Sequence, residues 1–210
     1  SLLAYADSSS TVKLFNLISG KPGGELISNG EKITKIRFSP TGSLIAGIAS
    51  SGNLFVWRIS DRNLIHTIQA DEVQVNDLAW NSNGTRIITV GKLGSIKIWN
   101  SNDKKLMTKL AENTTEALAV SWSNNDQNIA VLTSNNKVNI WIKTGEESYA
   151  KISSFTGKSS KVKTIEYSPD INYIAEIGND NNLYIRRSSS LDKVAFEYNL
   201  INEPLTSISW

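Results

Sequence analysis

The chain has no cysteine among its 210 residues, which excludes a disulfide framework, a thiolate metal site and a cysteine nucleophile together. That absence favours an intracellular protein, cytoplasmic or nuclear. Histidine is nearly absent as well. The single His66 would need two or three further His, Cys or carboxylate partners at defined spacing to hold a metal, so no metal and no other cofactor is expected. No apolar run approaches the roughly 18 residues of a membrane-spanning helix. The opening SLLAYADSSS has neither a basic flank nor an apolar stretch sufficient for a signal peptide. An excess of one charge is also lacking: 22 Lys and Arg face 20 Asp and Glu, a formal charge of +2. No long-range field therefore draws nucleic acid or an anionic membrane to the molecule, and neither nucleic-acid binding nor membrane insertion is expected. Composition does not fix the oligomeric state.

What is present is a folding composition, 40% hydrophobic and 20% charged, and a repeat. Five segments place aliphatic residues ahead of an aromatic: Ile33 to Phe38, Val75 to Trp80, Ala117 to Trp122, Val162 to Tyr167 and Leu205 to Trp210. The aromatics recur in steps of 42, 42, 45 and 43 residues. A fixed period in this range decides architecture ahead of local propensity. After four of the aromatics comes a polar turn (FSPTG, WNSNG, WSNND, YSPDI) whose Pro, Gly, Asn and Asp supply turn conformations. A second strand follows, then a third ending at Trp57, Trp99, Trp141, Arg186 or Phe15, apolar on both faces as a strand between two layers should be. A more polar fourth stretch closes each unit (LIHTIQA, KLMTKLA, YAKISSF, VAFEYNL), as suits an exposed sheet edge.

Four antiparallel strands per repeat of this length predict an all-β fold, a β-propeller of about five four-stranded blades forming a single domain over 1–210. A two-layer sandwich does not explain why one aromatic position returns at a fixed step. The repeats run approximately over 30–70, 71–113, 114–158 and 159–203, with a composite blade from 204–210 plus 1–29. In that blade LTSISW is expected to pair with SLLAYAD, leaving neither with an open edge. The blade count depends on that pairing, the lesser alternative being that the repeats belong to a larger propeller.

The third strands ending in Trp57, Trp99 and Trp141 resemble those of the tryptophan-aspartate (WD) repeat family, and the resemblance spans the chain. The name-giving dipeptide is degenerate: Arg58, Asn100 and Ile142 follow the three tryptophans, and Phe15 and Arg186 replace the tryptophan elsewhere. The family's buried polar network also needs a Gly-His pair, which His66 cannot supply by position. It needs a turn Asp too, matched only by Asp180, against Ser9, Ser51, Leu93 and Asn135. Stability is therefore expected to rest on strand packing more than on that network.

The resemblance implies a non-catalytic protein-interaction scaffold. Its upper surface, made by loops between fourth and first strands and turns between second and third strands, would carry Lys32, Ser51, Gln74, Lys92, Glu116, Asn135, Lys161 and Asp180. A basic cluster in one repeat, Lys158, Lys161, Lys163, Arg186, Arg187 and Lys193, would suit an acidic or phosphorylated peptide if its members face one way. The alternative is a five-bladed carbohydrate-binding protein or glycosidase. Hydrolysis needs paired carboxylates, and Asp77 and Glu166 lie on first strands but in non-equivalent registers. No Ser-His-Asp set or phosphate-cradling glycine loop accompanies them. Two N-glycosylation patterns, at Asn83 and Asn113, would matter only in a secreted chain.

Overall fold

The computed structural model describes residues 1–7, 10–110, 115–199 and 205–210, and every described element is a β-strand. The first sheet holds β1 (Leu2–Ala6), β2 (Thr11–Asn16) and β3 (Lys21–Ile27). The second holds β4 (Ile33–Phe38), β5 (Leu44–Ala49), β6 (Asn53–Arg58) and β7 (Leu64–Gln69). The third holds β8 (Val75–Trp80), β9 (Arg86–Gly91), β10 (Ile96–Asn100) and β11 (Leu106–Lys109). The fourth holds β12 (Ala117–Trp122), β13 (Asn128–Thr133), β14 (Lys137–Lys143) and β15 (Tyr149–Thr156). The fifth holds β16 (Val162–Tyr167), β17 (Tyr173–Gly178), β18 (Asn182–Arg187) and β19 (Ser190–Asn199). All are antiparallel meanders in chain order, so each blade is assembled from local hairpins.

Two irregularities recur in register. In the first strand pair of four sheets the register shifts around Thr34, Asn76, Leu118 and Lys163. In the third pair it shifts at the tryptophan position, at Val56/Trp57, Ile98/Trp99 and Ile140/Trp141, with equivalents at Leu14/Phe15 and Ile185/Arg186. A bulge adds a residue to one strand and increases local twist. Repeated at one position per blade, these shifts give successive sheets the same coiling.

The core lies between sheets. Four apolar clusters each join neighbours: Leu14 and Leu26 with Ile45 and Trp57, Ile48 and Val56 with Leu78 and Trp80, Ile88 and Ile98 with Val120 and Trp122, and Leu132 and Ile140 with Ile165 and Tyr167. Each fully buried aliphatic or aromatic side chain contributes about 1.5–3 kcal/mol, so a blade depends on its neighbours for most of its stabilisation. Inner strands are also tied directly: Trp80 Nε1 donates to the Arg37 carbonyl (3.1 Å), Val120 N to Asp77 (3.1 Å) and Tyr167 N to Ser121 Oγ (2.9 Å).

The composite blade differs from expectation. Its sheet has three strands, and residues 205–210 form no strand. The Leu205 carbonyl accepts a hydrogen bond from Lys163 Nζ (3.2 Å) on the fifth sheet's inner strand. Trp210 is 52% exposed, whereas Trp80, Trp122 and Tyr167 at the equivalent position are 9%, 8% and 7% exposed. Phe38, Leu3 and Tyr5 are also exposed, at 37%, 50% and 46%.

Candidate functional site

Antiparallel four-stranded blades bring the loop between one sheet and the next to the same end as the turn between second and third strands. The structure joins these segments by backbone hydrogen bonds. Lys92 N donates to the Gln74 carbonyl (3.0 Å), Ser134 N to Glu116 (2.9 Å) and Asn179 N to Lys161 (2.9 Å). Six of the eight residues expected on this upper face, Lys32, Ser51, Lys92, Asn135, Lys161 and Asp180, are exposed, and Gln74 and Glu116 are half-buried. Glu116 reaches across a blade boundary, accepting from Asn76 Nδ2 (3.1 Å).

Side chains lock the same loops. Glu31 accepts from Ser51 Oγ and from Asn53 Nδ2 (2.7 Å). Asp71, buried, accepts from Val73 N (2.9 Å), Gln74 N (3.1 Å) and the Ser95 hydroxyl. Asn136 donates to the Ser159 carbonyl (2.8 Å) and accepts from Val162 N (2.8 Å), while Ser159 Oγ donates to Asn179 (2.9 Å). Burial pushes the Asp180 carboxyl up, but hydrogen bonds from Tyr184 and Asn182 outweigh it and hold the group below its ordinary value. A loop-to-turn network thus exists without the family's histidine, built from whatever carboxylate, amide or hydroxyl each blade carries. Sequence reading missed Glu31, Asp71 and Asn136 because it searched for one residue type at one position. Ser9 and Asn113 lie outside the described residues.

Two apolar side chains interrupt this polar end. Val73 is 45% exposed and Leu93 56% exposed, on segments joined by the bond from Lys92 to Gln74. Leu93 was legible as a departure, since it occupies the turn position where the family carries aspartate.

The six cations of the fifth repeat do not share a face. Arg186 is buried, its Nε donating to Glu176, while Arg187 lies over the Tyr173 ring at 5.9 Å. Lys163 is held by Leu205. Lys158, Lys193 and Arg186 line one cleft of about 660 Å³, but Asp192 and Glu197 line it too. Lys161 is exposed in the same loop between β15 and β16 as Lys158.

The two first-strand carboxylates, Asp77 and Glu166, also diverge. Asp77 is buried and engaged: Oδ1 accepts from Lys35 Nζ (2.8 Å) and Leu78 N (2.9 Å), and Oδ2 from Val120 N (3.1 Å). Burial pushes the Glu166 carboxyl up, with Arg37 opposing and Asp77 adding to the shift. Among the described residues no three His, Cys, Asp or Glu side chains are grouped to hold a metal. No described helix is long and apolar enough to cross a membrane. His66 Nε2 is hydrogen-bonded to the Asn102 carbonyl (2.7 Å).

Successive antiparallel meanders packed face to face, with an apolar cluster at each junction, define this chain as a β-propeller protein. Residues 36–125 match the family described as the Anaphase-promoting complex subunit 4 WD40 domain. With the repeated blade grammar on either side of that stretch, the match supports a WD40-repeat family for the chain. No curated protein matches it. WD40 domains in general serve as protein-interaction scaffolds and are typically non-catalytic.

Proposed function

We propose that the chain is a non-catalytic, intracellular scaffold that offers its upper face to protein or peptide partners, with Val73 and Leu93 as the apolar anchor. The observation that carries this reading is an exposed aliphatic pair mounted on segments that backbone and side-chain hydrogen bonds hold in place. A pre-ordered surface loses little entropy on binding, and apolar anchors within a polar surround are where interface energy concentrates. The exposed Lys32, Lys92 and Lys161 favour an acidic partner. The matching family is named for a subunit of a complex, which supports a protein as the partner.

The test is affinity capture with the parent chain, with Val73→Ser/Leu93→Ser and with Lys32→Glu/Lys92→Glu/Lys161→Glu. Partners held by the parent should be lost from the first variant and weakened by the second. Retention of every partner by both would place binding on another surface.

A further inference from the structure

The sequence contains two Asn-Gly pairs, Asn29-Gly30 and Asn83-Gly84, and the structure treats them in opposite ways. Asn29 sits in the loop between β3 and β4, exposed, with φ of 55°. Among the described residues its carboxamide makes no hydrogen bond. The Gly30 amide is no donor either, since the loop is closed by Glu31 N donating to the Ser28 carbonyl (3.1 Å). Gly30, at φ of 89°, has open space where a Cβ would be. Asn83 is pinned instead: its Oδ1 accepts from Asn81 Nδ2 (2.8 Å), Thr85 N (3.0 Å) and Thr85 Oγ1 (2.6 Å). The Gly84 amide is used too, donating to the Asn81 carbonyl (3.1 Å).

We propose that Asn29 is a site of spontaneous deamidation and isoaspartate formation in the folded protein, and that Asn83 is protected by the turn that holds it. The chemistry needs a free carboxamide carbon and a free amide nitrogen one residue on. Solvent hydroxide takes the Gly30 N–H proton, and the nitrogen attacks Asn29 Cγ. The C–N bond of the carboxamide then breaks, releasing ammonia and closing a five-membered succinimide. One water opens that ring. Opening at the side-chain carbonyl gives aspartate; opening at the main-chain carbonyl gives isoaspartate, in which the backbone runs through the former side chain. No oxidant or reductant is involved.

Either product adds a negative charge on the upper face, beside Glu31 and Lys32. The loop it alters is a stitch between two blades: Ser28 Oγ is hydrogen-bonded to the Ser10 carbonyl (2.7 Å) on one side, and Glu31 binds Ser51 and Asn53 on the other. Isoaspartate lengthens the backbone within that stitch, so conversion changes both its charge and its geometry.

The experiment is timed incubation of the folded chain at mildly alkaline pH, followed by peptide mapping. Isoaspartate is detected by enzymatic methylation of its free α-carboxyl, and the same chain in denaturant serves as reference. In denaturant both pairs should convert at similar rates. In the folded chain Asn29 should convert while Asn83 lags by at least about tenfold, the factor set by hydrogen bonds worth about 1.4 kcal/mol that must break first. Asn29→Gln, which cannot close the five-membered ring, should abolish the early acidic species. Equal folded rates at the two sites, no conversion at Asn29, or an acidic species that persists in Asn29→Gln would each overturn the proposal.

Discussion

Glu176 and Arg186 occupy in the fifth sheet the positions that Thr89 and Trp99 occupy in the third. Trp99 pairs with Ile87 and Arg186 with Ile174 in equivalent registers, and Thr89 and Glu176 lie two residues further along their strands. In the third sheet Trp99 Nε1 donates to Thr89 Oγ1 (2.9 Å); in the fifth, Arg186 Nε donates to Glu176. The ion pair is buried at 4% and 0% side-chain exposure. It is further satisfied by Arg186 donating to the Leu191 (2.8 Å) and Thr156 (3.2 Å) carbonyls, and by Lys158 N donating to Glu176 (3.2 Å). Burial pushes the Glu176 carboxyl up and Arg186 pulls it back.

Removing one partner of such a pair leaves an uncompensated buried charge, at a cost of about 3–5 kcal/mol. Arg186→Met is therefore expected to lower the urea midpoint strongly. The double substitution Glu176→Thr/Arg186→Trp, which installs the third sheet's pair, should recover most of the loss. A single substitution as stable as the parent would show that the pair is not an interacting unit.

The same strand position sorts the remaining tryptophans. Gly47 lies beneath the Trp57 ring, whose Nε1 donates across the blade boundary to the Ile27 carbonyl (2.8 Å). Val131 stands there in the fourth sheet, and Trp141 Nε1 is buried with no acceptor among the described residues. Trp57→Phe should lose a net hydrogen bond of about 1 kcal/mol on top of any packing loss. Trp141→Phe removes a donor that was unsatisfied. Urea denaturation should rank Trp57→Phe as the more destabilising, and the reverse order would discount the inter-blade bond.

The strand grammar was legible because it depends on apolar alternation and turn residues, both written in local sequence. All four strands of the repeats centred on Phe38, Trp80, Trp122 and Tyr167 fall where spacing placed them, with β19 beginning earlier than Val194. Recurrent bulges were not legible: Ile65, Met107 and Ile152, the extra residues opposite the tryptophans, share no feature beyond being apolar. Nor was Arg186's partner, since a cation at a core position signals an ion pair but not which acid will meet it. The exposure of six of the eight upper-face residues followed from topology alone, whereas the loop network needed three-dimensional proximity between Asp71 and Ser95, 24 residues apart.

Two glycines separate conformational from steric demand. Gly42 has φ of 69° and open space where a Cβ would lie; Gly52 has φ of 88°, and a Cβ there would collide with the Asp71 carbonyl oxygen. Gly42→Ala carries only the left-handed backbone penalty, about 1–2 kcal/mol. Gly52→Ala adds displacement of the loop whose Ala70 and Asp71 amides donate to the Gly52 carbonyl, both at 3.0 Å. Thermal unfolding should show a clearly larger drop for Gly52→Ala, and equal drops would mean the Asp71 loop yields freely.

Glu166 carries the expected pH dependence. One of its carboxylate oxygens is buried with no hydrogen-bond partner among the described residues. Its raised carboxyl follows first from that burial, with Arg37 opposing and Asp77 reinforcing. In the unfolded chain the group ionises at the ordinary glutamate value; in the folded chain it holds its proton to higher pH. Between those two values the folded state binds more protons than the unfolded one, so stability falls as pH rises through that window. Above the folded value the penalty is complete and constant. Below the ordinary value both states are protonated and the penalty is absent. Glu166→Gln, neutral throughout, should therefore be more stable than the parent at neutral pH, with an advantage that shrinks as pH falls into the ordinary glutamate range. Urea midpoints for parent and variant across pH 3 to 8 check the sign. An advantage that grows on acidification would mean that Glu166 is ionised and stabilising, held by Arg37 rather than penalised by burial.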